Sequence, residues 1–464
     1  MAKIEHVVVL MLENRSFDCM LGRLYPKSET FDGLDGGERN PWHRPDGGIE
    51  EIGVWNSAAM PPEAACIPDP DPGELFPDFH TQLFGLKGSR TPDMSGFVDS
   101  YMRQPTPAGS DARPPDPRAV MHTFTSAQVP ILSRLARSFG VCDHWHASAP
   151  CETWPNRFFA HCGTGGGFVN NERSRFPRRW PRTMPTIFRR LGRAGYSWRV
   201  YFHDLPQTAT LLDLWLSIPT HFHLFEEVFA DDARRGRLPN YSFIEPRYYP
   251  SRLTGKVPSD QHPPYNIVYG EQLIASVYNA VRSAPTWKRT LLIVVYDEHG
   301  GCFDHVPPPP AVSPGGPYPD GFAFDRYGVR VPAVVISPFV APGSVLRPPR
   351  PAAGAPDYPF DHTSIIATLQ KLFACGPPLT PRVAAAPDLL STLTLDNPEN
   401  DGPERIVAHP HRPSREEVRA HARRPHNHLQ HNLWAHAGVP GAAVRAIAHG
   451  HRLHRRLRRG SSGR

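Results

Sequence analysis

His6-Val7-Val8-Val9-Leu10-Met11-Leu12-Glu13-Asn14-Arg15-Ser16-Phe17-Asp18 opens the chain with an unbroken apolar run that stops abruptly at polar residues. A strand without polar alternation is buried on both faces, as in a parallel sheet covered by helices. Residues 291–296 repeat the pattern and end in Asp297-Glu298-His299-Gly300-Gly301. Residues 331–337 form a third such run, with Pro332 tolerable near its start, and residues 197–202 a fourth. Helical spacing of apolar residues falls between them, over 130–139 and 270–283. Asp361 reads as the N-cap of a helix carrying Ile365, Ile366, Leu369, Leu372 and Phe373. Ser414-Arg415-Glu416-Glu417 is a capping-box pattern before another helix. Strands alternating with helices predict an α/β fold of three layers, αβα, around a mostly parallel sheet. No internal repeat interrupts it.

The totals fit that fold. A chain of 464 residues, 39% hydrophobic, can bury a sizeable core. The 55 prolines crowd into stiff loops such as 307–310 and 348–351. Residues 1–440 are expected to form one catalytic domain, with a turn-rich segment at about 41–117 serving as loops or a cap. Residues 441–464 are expected to be a disordered basic tail. The net charge of +6 is concentrated there, since 445–464 holds Arg445, Arg452, Arg455, Arg456, Arg458, Arg459 and Arg464 and no acid. Anionic membrane is the partner such a tail would meet, and no specific nucleic-acid binding is expected. The seven cysteines form no CxxC pair, which argues against a disulfide scaffold or a Cys-rich zinc site. No basic leader with a cleavage site precedes the first strand, and no apolar run reaches transmembrane length. The expectation is a cytoplasmic protein, one exported without a cleaved leader, or one whose start codon is misplaced.

Ligands of open α/β sheets bind beyond the carboxyl ends of the strands. Glu13 and Asn14 follow the first strand, and Asp297 and Glu298 follow the 291–296 strand. Carboxylates and an amide oxygen are the donors a hard divalent cation prefers. A strand ending in Asp-Glu also suits a P-loop ATPase, but Gly255-Lys256-Val257 lacks the hydroxyl and the spacing. Thr153, in Pro150-Cys151-Glu152-Thr153-Trp154-Pro155-Asn156-Arg157, is a hydroxyl framed by prolines. Taken alone it suits a helix N-cap; beside a metal it becomes a usable nucleophile. His203 and His262 follow a strand and precede a helix, where each can contact phosphoryl oxygen or protonate a leaving oxygen.

These segments, in this order, resemble the phosphoesterase family of nonspecific phospholipases C and related acid phosphatases. The resemblance rests on 6–18, 150–157, 259–264, 296–308 and Asp361-His362-Thr363-Ser364-Ile365. It implies an alkaline-phosphatase-like αβα fold. It implies a divalent metal ion of unspecified identity held by Glu13, Asn14, Asp297 and Glu298, with Thr153 completing the site. It also implies that His203 and His262 contact the phosphoryl group. Thr153 followed by Pro155-Asn156-Arg157 leans towards a phospholipase C, which would cleave glycerophospholipids to diacylglycerol and a phosphorylated headgroup through a phosphothreonine intermediate. The alternatives are an acid phosphatase with the same site and an inactive membrane- or nucleic-acid-binding protein. One departure stands out. Relatives often read Asp-Pro-Gly-His where this chain has Asp71-Pro72-Gly73-Glu74, so an acid occupies the place of a phosphate-side histidine. His80 is the nearby substitute.

Overall fold

A computed structural model describes residues 4–57, 64–105, 114–171 and 184–436. The basic tail, and with it the expectation of disorder and of membrane contact there, lies outside the described residues, as do parts of the expected cap.

The apolar runs form the sheet they predict. Strand His6–Leu12 lies between Thr290–Tyr296 and Tyr241–Ile244, parallel to both. Trp198–Phe202 and Phe222–Leu224 continue the parallel order beyond Tyr241–Ile244. On the other side Ala333–Ile336 runs antiparallel to Thr290–Tyr296, followed by Gly140–Val141 and Ser344–Val345. Among the eight strands, Ala333–Ile336 alone runs against the rest. Every residue of Thr290–Tyr296 is buried, as is every residue of His6–Leu12 except His6. That is the signature of a sheet covered on both faces. One bank of helices joins Pro130–Ser138, Phe225–Arg234 and Ile267–Arg282; a second joins Thr153–Cys162, Ile187–Arg193 and His362–Phe373. The result is the three-layer α/β fold.

The caps act as expected. Asp361 precedes helix His362–Phe373, and its backbone N–H donates to Ser364 Oγ at 3.2 Å. Ser414 Oγ accepts the Glu417 N–H at 3.0 Å. The turn-rich 41–117 segment is more ordered than its composition suggests. The hairpin Arg39–His43 with Ile49–Gly53 and the helices Phe76–Phe84 and Phe97–Met102 pack on a small separate core that includes Ile52, Leu83, Phe97, Val98 and Tyr101. None of the seven cysteines forms a disulfide. No described helix is long and apolar enough to cross a membrane.

Candidate active site

Register builds the site. Leu12 pairs with Tyr296, so the next residues, Glu13 and Asp297, emerge side by side. Asn14 then adopts φ of 56°, a left-handed conformation that Asn tolerates better than most residues. The turn points its backbone N–H at Asp297 Oδ1, 3.1 Å away. Gly300, with φ of +59°, passes so close that a Cβ would stand 2.3 Å from the Asn14 carbonyl oxygen. The Gly-Gly pair of the second motif is therefore what lets the two strand-end loops close on each other. His362 Nε2 donates to the Asp297 carbonyl at 2.5 Å and fixes that loop from below.

Thr153 arrives on a helix. Glu152 is the N-cap of Thr153–Cys162, so Thr153 is its first helical residue and not the cap itself. The Asn156 side chain ties the preceding turn together, accepting from Ala149 N at 3.1 Å and donating to Cys151 O at 2.6 Å. This holds the Thr153 hydroxyl 3.4 Å from Asn14 Oδ1. The hydroxyl thus lies at the positive end of a helix, which favours developing negative charge.

Arg157, one turn further, is the residue the strand-end pattern does not reveal. It is buried and bridges the two loops, with Nε 3.0 Å from Asp297 Oδ2 and Nη2 3.1 Å from Glu13 Oε1. Gln207 also donates to Glu13 Oε1. On the two strand-end loops, two carboxylate oxygens stay buried without a hydrogen-bond partner, Glu13 Oε2 and Glu298 Oε1. Burial pushes the Glu13 carboxyl well up against the pull of Arg157. Burial, then the charges of Glu74 and Asp297, push Glu298 well up too. Asp297 is raised by burial, with Arg157 opposing.

His262 is delivered by the 260–262 segment, which docks on the first motif: Glu13 N donates to Asp260 O at 2.9 Å and Arg15 Nε to Gln261 O at 2.8 Å. The ring is fully buried, with Nδ1 2.5 Å from Pro263 O and Nε2 3.2 Å from Glu74 Oε1. Burial alone would lower its proton affinity, but Glu74 and Asp71 reverse the balance and hold it well above the usual range. Glu74 itself accepts from the Asn14 amide at 2.8 Å. It is held there because Gln82 Nε2 donates to Gly73 O at 2.9 Å while Gln82 Oε1 is 2.8 Å from His299 Nε2. The expected departure is real: Glu74 stands inside the site. His80 is exposed, its ring tilted against Phe84 at 4.8 Å between centroids, outside the site.

His203 lies apart. Its strand is two places from His6–Leu12, ~10 Å across at the usual spacing. Nδ1 bonds the Glu245 carbonyl at 2.7 Å, and the ring stacks on Phe225. Burial, with Arg247 adding, lowers it to about 4. The structure therefore brings Glu13, Asn14, Thr153, Asp297, Glu298 and His262 together and leaves His203 at the margin, linked through Glu245 and the Gln207 loop.

Among the described residues, two groups of three bring His or carboxylate donor atoms within 4.8 Å of one another, Asp71–Glu74–His262 and Asp18–Asp304–His305. Glu13, Asp297 and Glu298 are not such a group; Arg157 bridges Glu13 to Asp297, and the Glu298 N–H donates to Asp297 Oδ1 at 2.8 Å. They still fit a hard cation. The unpartnered oxygens are carboxylate, Asn14 Oδ1 has only a long bond, and buried charge needs a partner.

The phosphoesterase family model matches residues 4–376. The chain belongs to the phosphoesterase family. This phosphoesterase is 35% identical over 413 residues to non-specific phospholipase C3 of Arabidopsis thaliana, covering 86% of this chain and 75% of that protein. It is 36% identical over 412 residues to non-specific phospholipase C1 of the same plant, covering 87% and 73%. Phospholipase C A of Mycobacterium tuberculosis is 28% identical over 444 residues, covering 86% and 78%. Among solved structures, the phosphoesterase is similar to a protein in the alkaline phosphatase superfamily from Vibrio parahaemolyticus, with a TM-score of 0.32 at 13% identity, covering 53% of this chain and 60% of that one. The family and these relatives make it a hydrolase acting on phosphoric ester bonds.

Proposed function

We propose that this phosphoesterase is a metal-dependent phospholipase C acting on glycerophospholipids, with Thr153 as nucleophile. The observation that carries the proposal is the Thr153 hydroxyl, 3.4 Å from Asn14 Oδ1 at a helix N-terminus beside buried, unpartnered carboxylate oxygens. Glu13, Asn14, Asp297 and Glu298, with Thr153 itself, would hold a divalent ion. Such an ion supplies positive charge that lowers the cost of ionising a hydroxyl and steadies phosphoryl oxygens. The names of the plant and bacterial relatives support the substrate class.

The Thr153 hydroxyl releases its proton to solvent as Oγ1 attacks phosphorus, and the bond from phosphorus to the diacylglycerol oxygen breaks. His262 gives that oxygen a proton; its ring is the one whose surroundings keep it charged, whereas His203 stays neutral and suits a positioning role. Water then attacks the phosphothreonine and gives one proton to His262; the phosphorylated headgroup is freed as the bond from phosphorus to Thr153 Oγ1 breaks, and Thr153 regains its hydroxyl proton from solvent. Arg157 keeps the acids on the two loops in register throughout. Glu74 beside His262 and Asn14 favours a monoanionic diester over a dianionic monoester, since a second phosphate charge meets a carboxylate. The basic 445–464 tail would add attraction to anionic lipid.

Purified protein should release headgroup from phosphatidylcholine vesicles faster than phosphate from an alkyl phosphomonoester, and chelation should stop both. Faster monoester cleavage would make it a phosphatase.

A further inference from the structure

The last described helix, His428–His436, is fastened to the molecule by its first turn. Asn427 N donates to Gln430 Oε1 at 3.2 Å, and Gln430 N returns the bond to Asn427 Oδ1 at 2.8 Å. Gln430 Nε2 then reaches Tyr248 O at 2.6 Å and the Tyr265 hydroxyl at 2.7 Å, and the Tyr249 hydroxyl donates to Gln430 O at 2.6 Å. Leu429 and Leu433 join the main core. The docking presents two consecutive side chains to two different parts of the site. Asn427 Nδ2 lies 3.2 Å from His262 Nε2. His428 Nδ1 lies 2.7 Å from Oε1 of Glu152, the cap of the Thr153 helix. Glu152 Oε2 also accepts from Asn171 N at 2.7 Å, and Asn171 Oδ1 accepts from Trp154 N at 2.7 Å. Thr153 therefore sits between two residues clamped through Glu152 and Asn171, and His428 holds the open side of that clamp. The His428 side chain is 40% exposed, so core packing does not require a histidine there.

We propose that Asn427 and His428 are positioning residues of the phosphoryl-transfer site: His428 steadies the turn that aims the Thr153 hydroxyl, and Asn427 Nδ2 donates to Nε2 of the His262 ring once that nitrogen has given up its proton. The proposal rests on Thr153 as nucleophile and His262 as acid. It makes the last described helix a wall of the active site and not an appendage to the domain. Misplacing reacting groups by 1 Å costs on the order of 100-fold in rate. The two contacts act on different steps of the same event, so they separate by leaving group. Alignment of the hydroxyl matters for every substrate; placement of the acid matters only when the departing oxygen needs a proton.

The test compares full-length variants on two soluble phosphodiesters, one with an alkyl and one with a p-nitrophenyl leaving group. His428→Ala should lower kcat by on the order of 10- to 100-fold on both, with KM, metal content and Tm near those of the wild type. His428→Asn, whose amide nitrogen falls near the place of Nδ1, should restore most of it. Asn427→Ala should lower kcat on the alkyl ester and leave the p-nitrophenyl ester nearly untouched. Wild-type kcat for both variants on the alkyl ester would overturn the proposal. So would losses that follow Tm and are not restored by His428→Asn. Thr153→Ala in the same assay reports separately on the nucleophile: if it turns over normally, that assignment fails whatever the other variants do.

Discussion

Two buried arginines bridge the same pair of loops and leave them in opposite states. Arg330 donates to Asp304 Oδ1 and Asp18 Oδ1, each at 2.9 Å, and to the carbonyls of Asp32 and Asp143. His305 closes that cluster between Asp18 Oδ2 at 2.7 Å and Asp32 Oδ1 at 3.1 Å. Asp18 and Asp32 outweigh the burial that would lower it and push it up to about 10. Asp18, Asp304, His305 and Arg330 have none of their side-chain polar atoms among the buried atoms without a partner. Arg157 bridges Glu13 and Asp297 in the same manner, yet Glu13 Oε2, Glu298 Oε1 and its own Nη1 stay buried without partners. Both clusters come from the same motifs, 13–18 and 297–305. A closed network of this kind holds loops in place; an open one costs stability unless something else completes it. Under the proposed mechanism, the closed cluster builds the site and the open one acts in it.

Exchanging the state of each cluster tests that distinction. Arg330→Met leaves Asp304 buried without its paired cation and Asp18 with His305 alone, and should cost about 3–5 kcal/mol, read by denaturant unfolding, while the fraction still folded keeps its metal. Glu298→Gln should do the reverse. The side chain keeps a carbonyl oxygen for Gly300 N, which Glu298 Oε2 accepts from at 2.7 Å, and loses the unpartnered carboxylate oxygen whose charge burial disfavours unless a cation completes it. Its metal-free Tm should equal or exceed that of the wild type, while bound metal and turnover fall by orders of magnitude. Full metal retention by Glu298→Gln would remove Glu298 from the ligand set. The smallest effect is at Glu74, which keeps both clusters intact. Glu74→Gln retains an acceptor for the Asn14 amide and removes one charge, so the ratio of monoester to diester turnover, for one alcohol leaving group, should rise on the order of 10-fold. An unchanged ratio would place the bound phosphate away from Glu74.

Much of this was legible in the chain. Unbroken apolar runs ending in acids specify buried parallel strands with ligands at their tips, because strand burial and register depend on local pattern and neighbour pairing. The caps at Asp361 and Ser414 are local hydrogen bonds and were equally readable. The antiparallel direction of Ala333–Ile336 was not, since direction depends on the path of the connecting chain. Neither were the hairpin and helices within 39–102, whose apolar residues are spread thinly through turn-rich sequence. Arg157 was visible as part of a motif, but its bridge to Glu13 and Asp297 spans more than a hundred residues, so no local spacing signals it. His428 lay in a run of histidines that reads as solvent-facing, and only the docking of its helix brings it to Glu152.

The proposed phosphoryl transfer depends on the Thr153 hydroxyl as the attacking group. Rapid quenching of the wild type with substrate labelled in the phosphoryl group, followed by peptide mapping, should find phosphate on the peptide containing Thr153. Thr153→Ala should give no labelled peptide and a rate lower by several orders of magnitude, with metal still bound. An unlabelled wild type together with near-normal turnover by Thr153→Ala would contradict the account and leave direct attack by water in its place.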